Sequence, residues 1–171
     1  MATVDVTRTY LELRDRTALR PARAPDAMPS LVRRAPIGAS EYLHLYRLVG
    51  DRWHWHNRLA WPAAQLEAYL ASPAVHVWVA HLERAVAGYF ELLEHPAGDV
   101  EIAYFGLSPS YIGRGLGGWL LTRAAETAFV LGARRVVLNT CTLDGPRALP
   151  NYLARGFRIV RDEVYQAELR D

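Results

Sequence analysis

Four glycines fall within six residues of the run Tyr111-Ile112-Gly113-Arg114-Gly115-Leu116-Gly117-Gly118. The run leaves a strand-like segment, Val100 to Leu107, and enters a helix-like one, Leu116 to Leu131. At such a junction backbone N–H groups without side chains converge on an anion, and the partial positive charge of the helix start favours it. The spacing points to a bound phosphate group. A second concentration is Asp51 to Arg58, Asp-Arg-Trp-His-Trp-His-Asn-Arg. Trp53, Trp55 and Arg58 can stack on or clamp a flat or anionic molecule, and the same rings equally suit sealing a core. His54 and His56 have no carboxylate or cysteine partner in view, so no metal site is expected. Glu101 opens the mostly apolar segment Glu101-Ile102-Ala103-Tyr104-Phe105-Gly106-Leu107. A carboxylate in apolar surroundings holds its proton more tightly, which suits a general base near neutral pH. Glu91, in the preceding segment, is the alternative carboxylate.

The elements that must position these residues follow from hydrophobic periodicity. Val4 to Arg14 reads as a strand, and Ala18 to Ser30, with three prolines, as an irregular connector. Leu31 to Ala35 is a short extended piece. Ser40 is a suitable N-cap for a helix over Glu41 to Val49, which Gly50 would end. Pro62 fits the first turn of a second helix ending near Ala71. Val75 to Leu82 and Val86 to Leu93 flank Glu83-Arg84-Ala85 as a hairpin, and Val100 to Leu107 follows as a strand. Beyond the glycine run, Leu116, Leu120, Leu121, Ala124, Ala128 and Leu131 line one helix face, with Gly132 as its cap. Val136 to Thr140 is a strand, Pro146 to Arg155 a short helix, and Phe157 to Val160 and Val164 to Leu169 two closing strands. The order is β-α-α-β-β-β-α-β-α-β-β, which a mixed sheet with helices on both faces satisfies.

The 171 residues suit one domain with its own core. A net charge of +2 lacks the basic excess of a nucleic-acid binder. All 20 Lys+Arg positions are arginine, so the chain has no lysine of its own to modify. Cys141 is the sole cysteine, which excludes an internal disulfide and fits a reducing, cytoplasmic setting. No apolar stretch is long enough to span a bilayer, and Met1 to Tyr10 carries no signal-peptide pattern, so no membrane association is expected.

Ile112-Gly113-Arg114-Gly115-Leu116-Gly117 resembles the Gln/Arg-x-x-Gly-x-Gly/Ala pattern of the GNAT superfamily of acyl-CoA-dependent N-acetyltransferases, with Ile112 in the Gln/Arg position. Asn151-Tyr152-Leu153-Ala154-Arg155-Gly156-Phe157 is similar to that family's Leu-Tyr-x-x-x-Gly-Phe signature, with Asn151 replacing the apolar residue. The likeness runs from about Val75 to Val160 and is loose before Ser40. It implies a single α/β (α+β mixed) domain over residues 1–171. In it a mostly antiparallel twisted sheet of about seven strands carries helices on both faces. Residues 1–38 form a variable strand and connector, and 75–160 the cofactor-binding core.

The resemblance implies acetyl-CoA as cofactor. The backbone from Ile112 through Gly113, Arg114, Gly115, Leu116, Gly117 and Gly118 would surround its pyrophosphate, with the Arg114 side chain either adding a cation or simply solvated. Phe105, Gly106 and Leu107 would pair with the pantetheine arm where their strand splays from Val136 to Thr140. Gly106 would mark a close approach by that arm. Asn139, Asn151 and Tyr152 would flank it. Glu101 occupies the position of the catalytic glutamate of the histone-acetylating branch, with Glu91 as its substitute. Tyr152 corresponds to the tyrosine beside the sulfur, a general acid, and the Leu107 N–H would stabilise the oxyanion. Trp53, Trp55, Arg58 and Glu91 would line the acceptor side. The acceptor would be a small-molecule or peptide amine that attacks directly, and a homodimer accords with family habit.

Other readings of the glycine run fit less well. A dinucleotide fingerprint needs the first turn of a parallel unit and an acidic residue ending the next strand, where this chain has Asn139-Thr140. A P-loop needs a lysine. A non-catalytic acyl-CoA sensor on the same fold is the alternative function.

Overall fold

Eleven regular elements build the sheet and its two coats in a computed structural model that describes residues 2–169. Met1, Arg170 and Asp171, at the two ends of the expected single domain, lie outside the described residues. The strands are β1 (Ala2–Leu13), β2 (Ser30–Arg33), β3 (Val75–Leu82), β4 (Ala85–Glu94), β5 (Asp99–Leu107), β6 (Arg135–Cys141) and β7 (Arg158–Leu169). The helices are α1 (Ala39–Gly50), α2 (Ala63–Ala71), α3 (Leu116–Val130) and α4 (Ala148–Ala154). The sheet order is β2-β3-β4-β5-β6-β1-β7, and every pair is antiparallel except β5 with β6.

Side chains alternate across this sheet and fill two cores. Leu11, Leu13, Phe90, Leu92, Val136 and Leu138 face Leu120, Leu121 and Ala124 of α3. Val77, Val79 and Tyr89 face Tyr42, Leu45, Tyr46 and Val49 of α1 and Leu66 and Leu70 of α2. The expected mixed, mostly antiparallel seven-strand sheet with helices on both faces is the observed architecture.

Two details differ from the sequence expectation. The seventh strand is β2 rather than a split at the chain's end, because β7 runs unbroken from Arg158 to Leu169 along β1. Its charged middle, Arg161-Asp162-Glu163, is kept in the strand by β1. Arg161 lies 3.8 Å over the Tyr10 ring, Asp162 accepts from the Thr9 hydroxyl at 2.7 Å, and Glu163 accepts from the Tyr10 hydroxyl at 2.9 Å. A register shift between Tyr10 and Leu11 leaves Val160 as the extra residue of a bulge. The second detail is the start of α1. The helix begins at Ala39 with Gly38 as an N-cap that has no side chain to offer, and Ser40 lies inside it. Glu67 of α2 accepts from the Ala39 N–H at 3.0 Å, which satisfies one of the donors a capping side chain would have taken.

β5 and β6 pair only at Asp99↔Arg135, Val100↔Val136 and Glu101↔Val137. Beyond Glu101 they diverge. Opposite β4, β5 carries one extra residue, Ala103, between the Glu91↔Tyr104 and Leu92↔Ile102 pairs, and such a bulge bends its strand. The closed end of the V is clasped by Arg135, which donates to Asp99 at 2.9 and 3.0 Å and to Glu12 at 2.6 Å. Arg158 holds Glu12 from the β7 side at 2.7 Å.

Candidate functional site

The open end of the V is the floor of a cleft of about 810 Å³. The glycine turn borders one side, α4 a second, and the segment between α1 and α2 a third. Gly113 and Gly115 have φ of +82° and +77°, a backbone region costly for any side chain, so the turn depends on glycine there. A Cβ on Gly115 would meet nothing within 4 Å, and no side chain caps the start of α3. The first-turn N–H groups of α3 therefore have no side-chain oxygen of their own, the arrangement an anion fills.

Two cations that the sequence reading passed over converge on this turn. An Arg147 Nη lies 3.4 Å from where a Gly113 Cβ would be, and an Arg155 Nη lies 2.7 Å from the corresponding point on Gly118. The Arg155 Nε is buried without a hydrogen-bond partner. Both arginines line the cleft, as does Arg23 from the connector. That connector is not a passive link. The Ala22 N–H donates to the Thr122 hydroxyl of α3 at 3.0 Å, which seats the connector against the start of the helix. Arg147 and Arg155 bracket the short helix carrying the Asn-Tyr signature, and that flanking charge was the signal available in the sequence. Nothing local marked Arg23. An unshielded nest with arginines around it suits a diphosphate, so the residues present fit the acyl-CoA implied by the sequence.

Most of the expected site residues come together here. Ile112, Gly113, Gly115, Gly117 and Gly118 line the cleft from the turn, and Phe105, Gly106 and Leu107 from β5. Ser108 N–H donates to Ala87 of β4 at 2.8 Å. Because successive N–H groups of a strand point to opposite edges, the Leu107 N–H is turned toward the gap. Asn139, Asn151 and Tyr152 line the far wall, and Asn151 donates to the Gly117 carbonyl at 3.1 Å, tying α4 to the first turn of α3.

Tyr152 is 7% exposed and lies between Phe105 and Phe157, ring centroids 6.2 and 6.1 Å away. Burial, with a smaller contribution from Asp144, pushes its phenol above the ordinary tyrosine range. Glu101 also lines the cleft, but it is not sealed in apolar surroundings as its segment suggested. Its carboxylate lies 3.0 Å from the His95 Nε2, and its side chain is 29% exposed.

Four expectations take a different form. Arg114 points away from the cleft, paired with Glu83 of the β3–β4 turn and standing 4.9 Å over the Tyr111 ring. Leu116 is buried in the α3 core, so only its backbone belongs to the turn. The missing side chain of Gly106 makes room for α1, since a Cβ there would lie 2.5 Å from Val49 Cγ1. Glu91 is fully buried. It accepts from the hydroxyls of Tyr42 and Tyr69 and from Arg58 Nη2 at 3.0 Å.

The segment between α1 and α2 forms the third wall of the cleft. Trp53, His54, Trp55, His56 and Arg58 face the cleft. Trp55 both packs into the protein and borders the cleft. It packs on Tyr46 and Tyr104, with centroids at 5.4 and 4.9 Å, and it lines the cavity. Trp53 reaches across to Gly145 in the β6–α4 connection, close enough that a Cβ there would sit 3.1 Å from its ring. Arg58 is caged by Trp61, Tyr69 and Tyr104, at 4.0, 4.5 and 5.1 Å. Burial works against its charge, and Glu91 together with the phenols of Tyr42, Tyr69 and Tyr104 more than offsets that. Arg8 of β1 and Tyr165 of β7 complete the far side, and the sequence reading named neither. Among the described residues, no group of three or more His, Cys, Asp or Glu is placed to hold a metal ion, and no helix is long and apolar enough to cross a membrane.

Comparison with known proteins adds an independent line. The model of the acetyltransferase (GNAT) family matches residues 42–157. No curated protein matches the chain. Among solved structures, a GCN5-related N-acetyltransferase from Sphaerobacter thermophilus superposes with a TM-score of 0.66 at 16% identity, over 97% of this chain and 52% of that one. One from Kribbella flavida gives 0.64 at 18%, over 96% and 58%. A GNAT-family protein from Streptococcus pneumoniae gives 0.56 at 22%, over 77% and 88%. The chain thus spans little more than half the length of the first two, and at these identities the likeness is one of fold.

Proposed function

The chain belongs to the GNAT acetyltransferase family, and from that premise we propose that it moves an acetyl group from acetyl-CoA to a primary amine. The observation that carries the proposal is the coincidence of three features at one end of the sheet. These are the β5–β6 gap that opens after Glu101↔Val137, the uncapped glycine turn with its arginines, and Tyr152 in the gap's wall.

When bound, acetyl-CoA supplies an electrophilic thioester carbonyl. The turn from Gly113 to Gly118, with Arg147, Arg155 and Arg23, would hold the diphosphate end. Glu101, steadied by His95, takes the proton from the incoming ammonium so that nitrogen can attack. The Leu107 N–H, aimed into the gap, donates to the carbonyl oxygen as charge gathers on it and the C–N bond forms. Tyr152, kept protonated by burial, would give its proton to the sulfur as the C–S bond breaks, and the second proton of the attacking nitrogen would pass back to the phenolate as the amide forms. No enzyme nucleophile is needed.

Calorimetry with acetyl-CoA, then thiol release over an amine panel, tests this. Glu101→Gln and Tyr152→Phe are each expected to lower kcat by about 10²- to 10⁴-fold, the usual worth of a positioned acid or base. Acetyl-CoA affinity should stay within about two-fold, because neither residue touches the diphosphate cradle. Normal turnover in both variants would refute the assigned roles. Tight acetyl-CoA binding without turnover on any amine would favour a sensor.

A further inference from the structure

Arg8 brings to the acceptor half of the cleft a guanidinium that no carboxylate matches among the described residues. Its Nη2 donates to the Tyr165 hydroxyl at 3.3 Å, its guanidinium carbon lies 4.8 Å from the Tyr165 ring, and its Nε is buried with no partner. The carboxylate directly across the strand pair, Glu163, accepts from the hydroxyl of Tyr10, whose phenol also stands beside Arg8. The other charges of the cavity's acceptor side are engaged. Arg58 has Glu91, Glu101 has His95, and Asp144 accepts from the Thr140 hydroxyl at 2.6 Å and the Cys141 N–H at 3.0 Å.

Strand alternation fixes which side of the sheet Arg8 serves. Leu11, Leu13 and Leu138 pack under α3, so Arg8, with Asn139 and Cys141 beside it on β6, lies on the opposite face from the helix that begins at the glycine turn. That is the face of the α1–α2 wall. A partly buried guanidinium with a spare donor is costly to leave unmatched, and it suits a carboxylate.

We propose that Arg8, steadied by Tyr165, binds a carboxylate on the acceptor, so that the substrate class is amines that also bear a carboxylate, such as amino acids or short peptides. The inference rests on the acetyltransferase reading and narrows it.

Matched pairs test it. Phenylalanine is set against phenylalaninamide, 6-aminohexanoate against 6-aminohexanamide, and glycylphenylalanine against its amide. In the intact protein at least one acid should exceed its amide in kcat/KM by on the order of ten- to a hundred-fold, as a charge-assisted contact gives. Arg8→Met should erase that preference while leaving the amide's kcat/KM and the acetyl-CoA affinity within about two-fold. Tyr165→Phe, which keeps the ring and removes the hydroxyl, should lose only part of the preference and guards against a folding defect in Arg8→Met. Equal use of acid and amide in every pair, or a preference that survives Arg8→Met, overturns the proposal. A parallel loss of acetyl-CoA affinity in Arg8→Met also overturns it, since Arg8 would then serve the cofactor's phosphates. Absence of any acetyl-CoA binding sinks the transferase reading separately. In that case calorimetry with N-acetylphenylalanine against its amide decides the carboxylate question. Arg8-dependent binding of the acid supports the site, and no binding or equal binding refutes it.

Discussion

Glu91 is a carboxylate with no exposure, surrounded by two phenol donors and one guanidinium. Burial and its negative charge push the phenols of Tyr42 and Tyr69 above their usual range, so both stay donors. Such a group is poorly placed to exchange a proton with an acceptor. It is well placed to neutralise Arg58, whose removal from water would otherwise be unfavourable. Taking one partner from a buried pair leaves the other uncompensated, at about 3–5 kcal/mol. Glu91→Gln should therefore lower the free energy of unfolding by about that much in urea titration, whereas Glu101→Gln, at the cleft's surface, should change it by less than about 1 kcal/mol. A Glu91→Gln protein as stable as the parent but inactive would make Glu91 the base after all. The sequence put Glu101 first, with Glu91 as its substitute, and could not decide between them. What separates them is that Tyr42, Arg58 and Tyr69 arrive from 49, 33 and 22 positions away.

The strand pairs show where local pattern decides a structure and where it fails. The β3–β4 hairpin was legible because two apolar runs flank a short polar turn. Glu83 and Arg84 take φ of 55° and 62° to make it, a left-handed pair suited to a tight turn between twisted strands. The continuity of β7 was not legible, since its charged middle reads as a break until β1 is beside it. The clasp at the closed end of the V depends on that same long-range pairing. Arg158 first, and then Arg135, hold the Glu12 carboxyl below the ordinary carboxylate range against the opposing effect of burial, and Arg135 does the same for Asp99. A carboxyl depressed in the folded state adds stability above its unfolded pKa, and that contribution disappears as pH falls through the folded value. Glu12→Gln should cost about 1–2 kcal/mol at pH 7, since the arginines are partly exposed. The Tm gap between parent and variant should hold down to about pH 5 and close as pH drops below about 4. A gap that persists unchanged to pH 2 would mean the clasp stabilises by packing, not charge.

Across the whole molecule, the first strand in sequence lies inside the sheet, one place in from an edge. β6 and β7 are joined through α4, yet they are not neighbours, because β1 runs between them. No periodicity in residues 2–13 could announce that placement, since alternation says which face a residue takes and not which strands flank it. The motif residues, being short and local runs, were readable as lining of the cleft, whereas Arg8 reaches the same cleft from this distant strand. The two halves of β1 are held differently. Arg8 to Glu12 pair with both β6 and β7 and Leu13 with β6, whereas Ala2 to Thr7 pair with β7 alone. Hydrogen exchange should read this directly. Amides from Thr9 to Leu13 should exchange only with global unfolding, together with those of β6, and amides from Ala2 to Val6 should exchange through local opening at lower free energy. If all of β1 exchanged as one unit well before β6, the strand would be a detachable graft, and Arg8 would sit on a mobile element rather than on the rigid floor that a specific carboxylate contact requires.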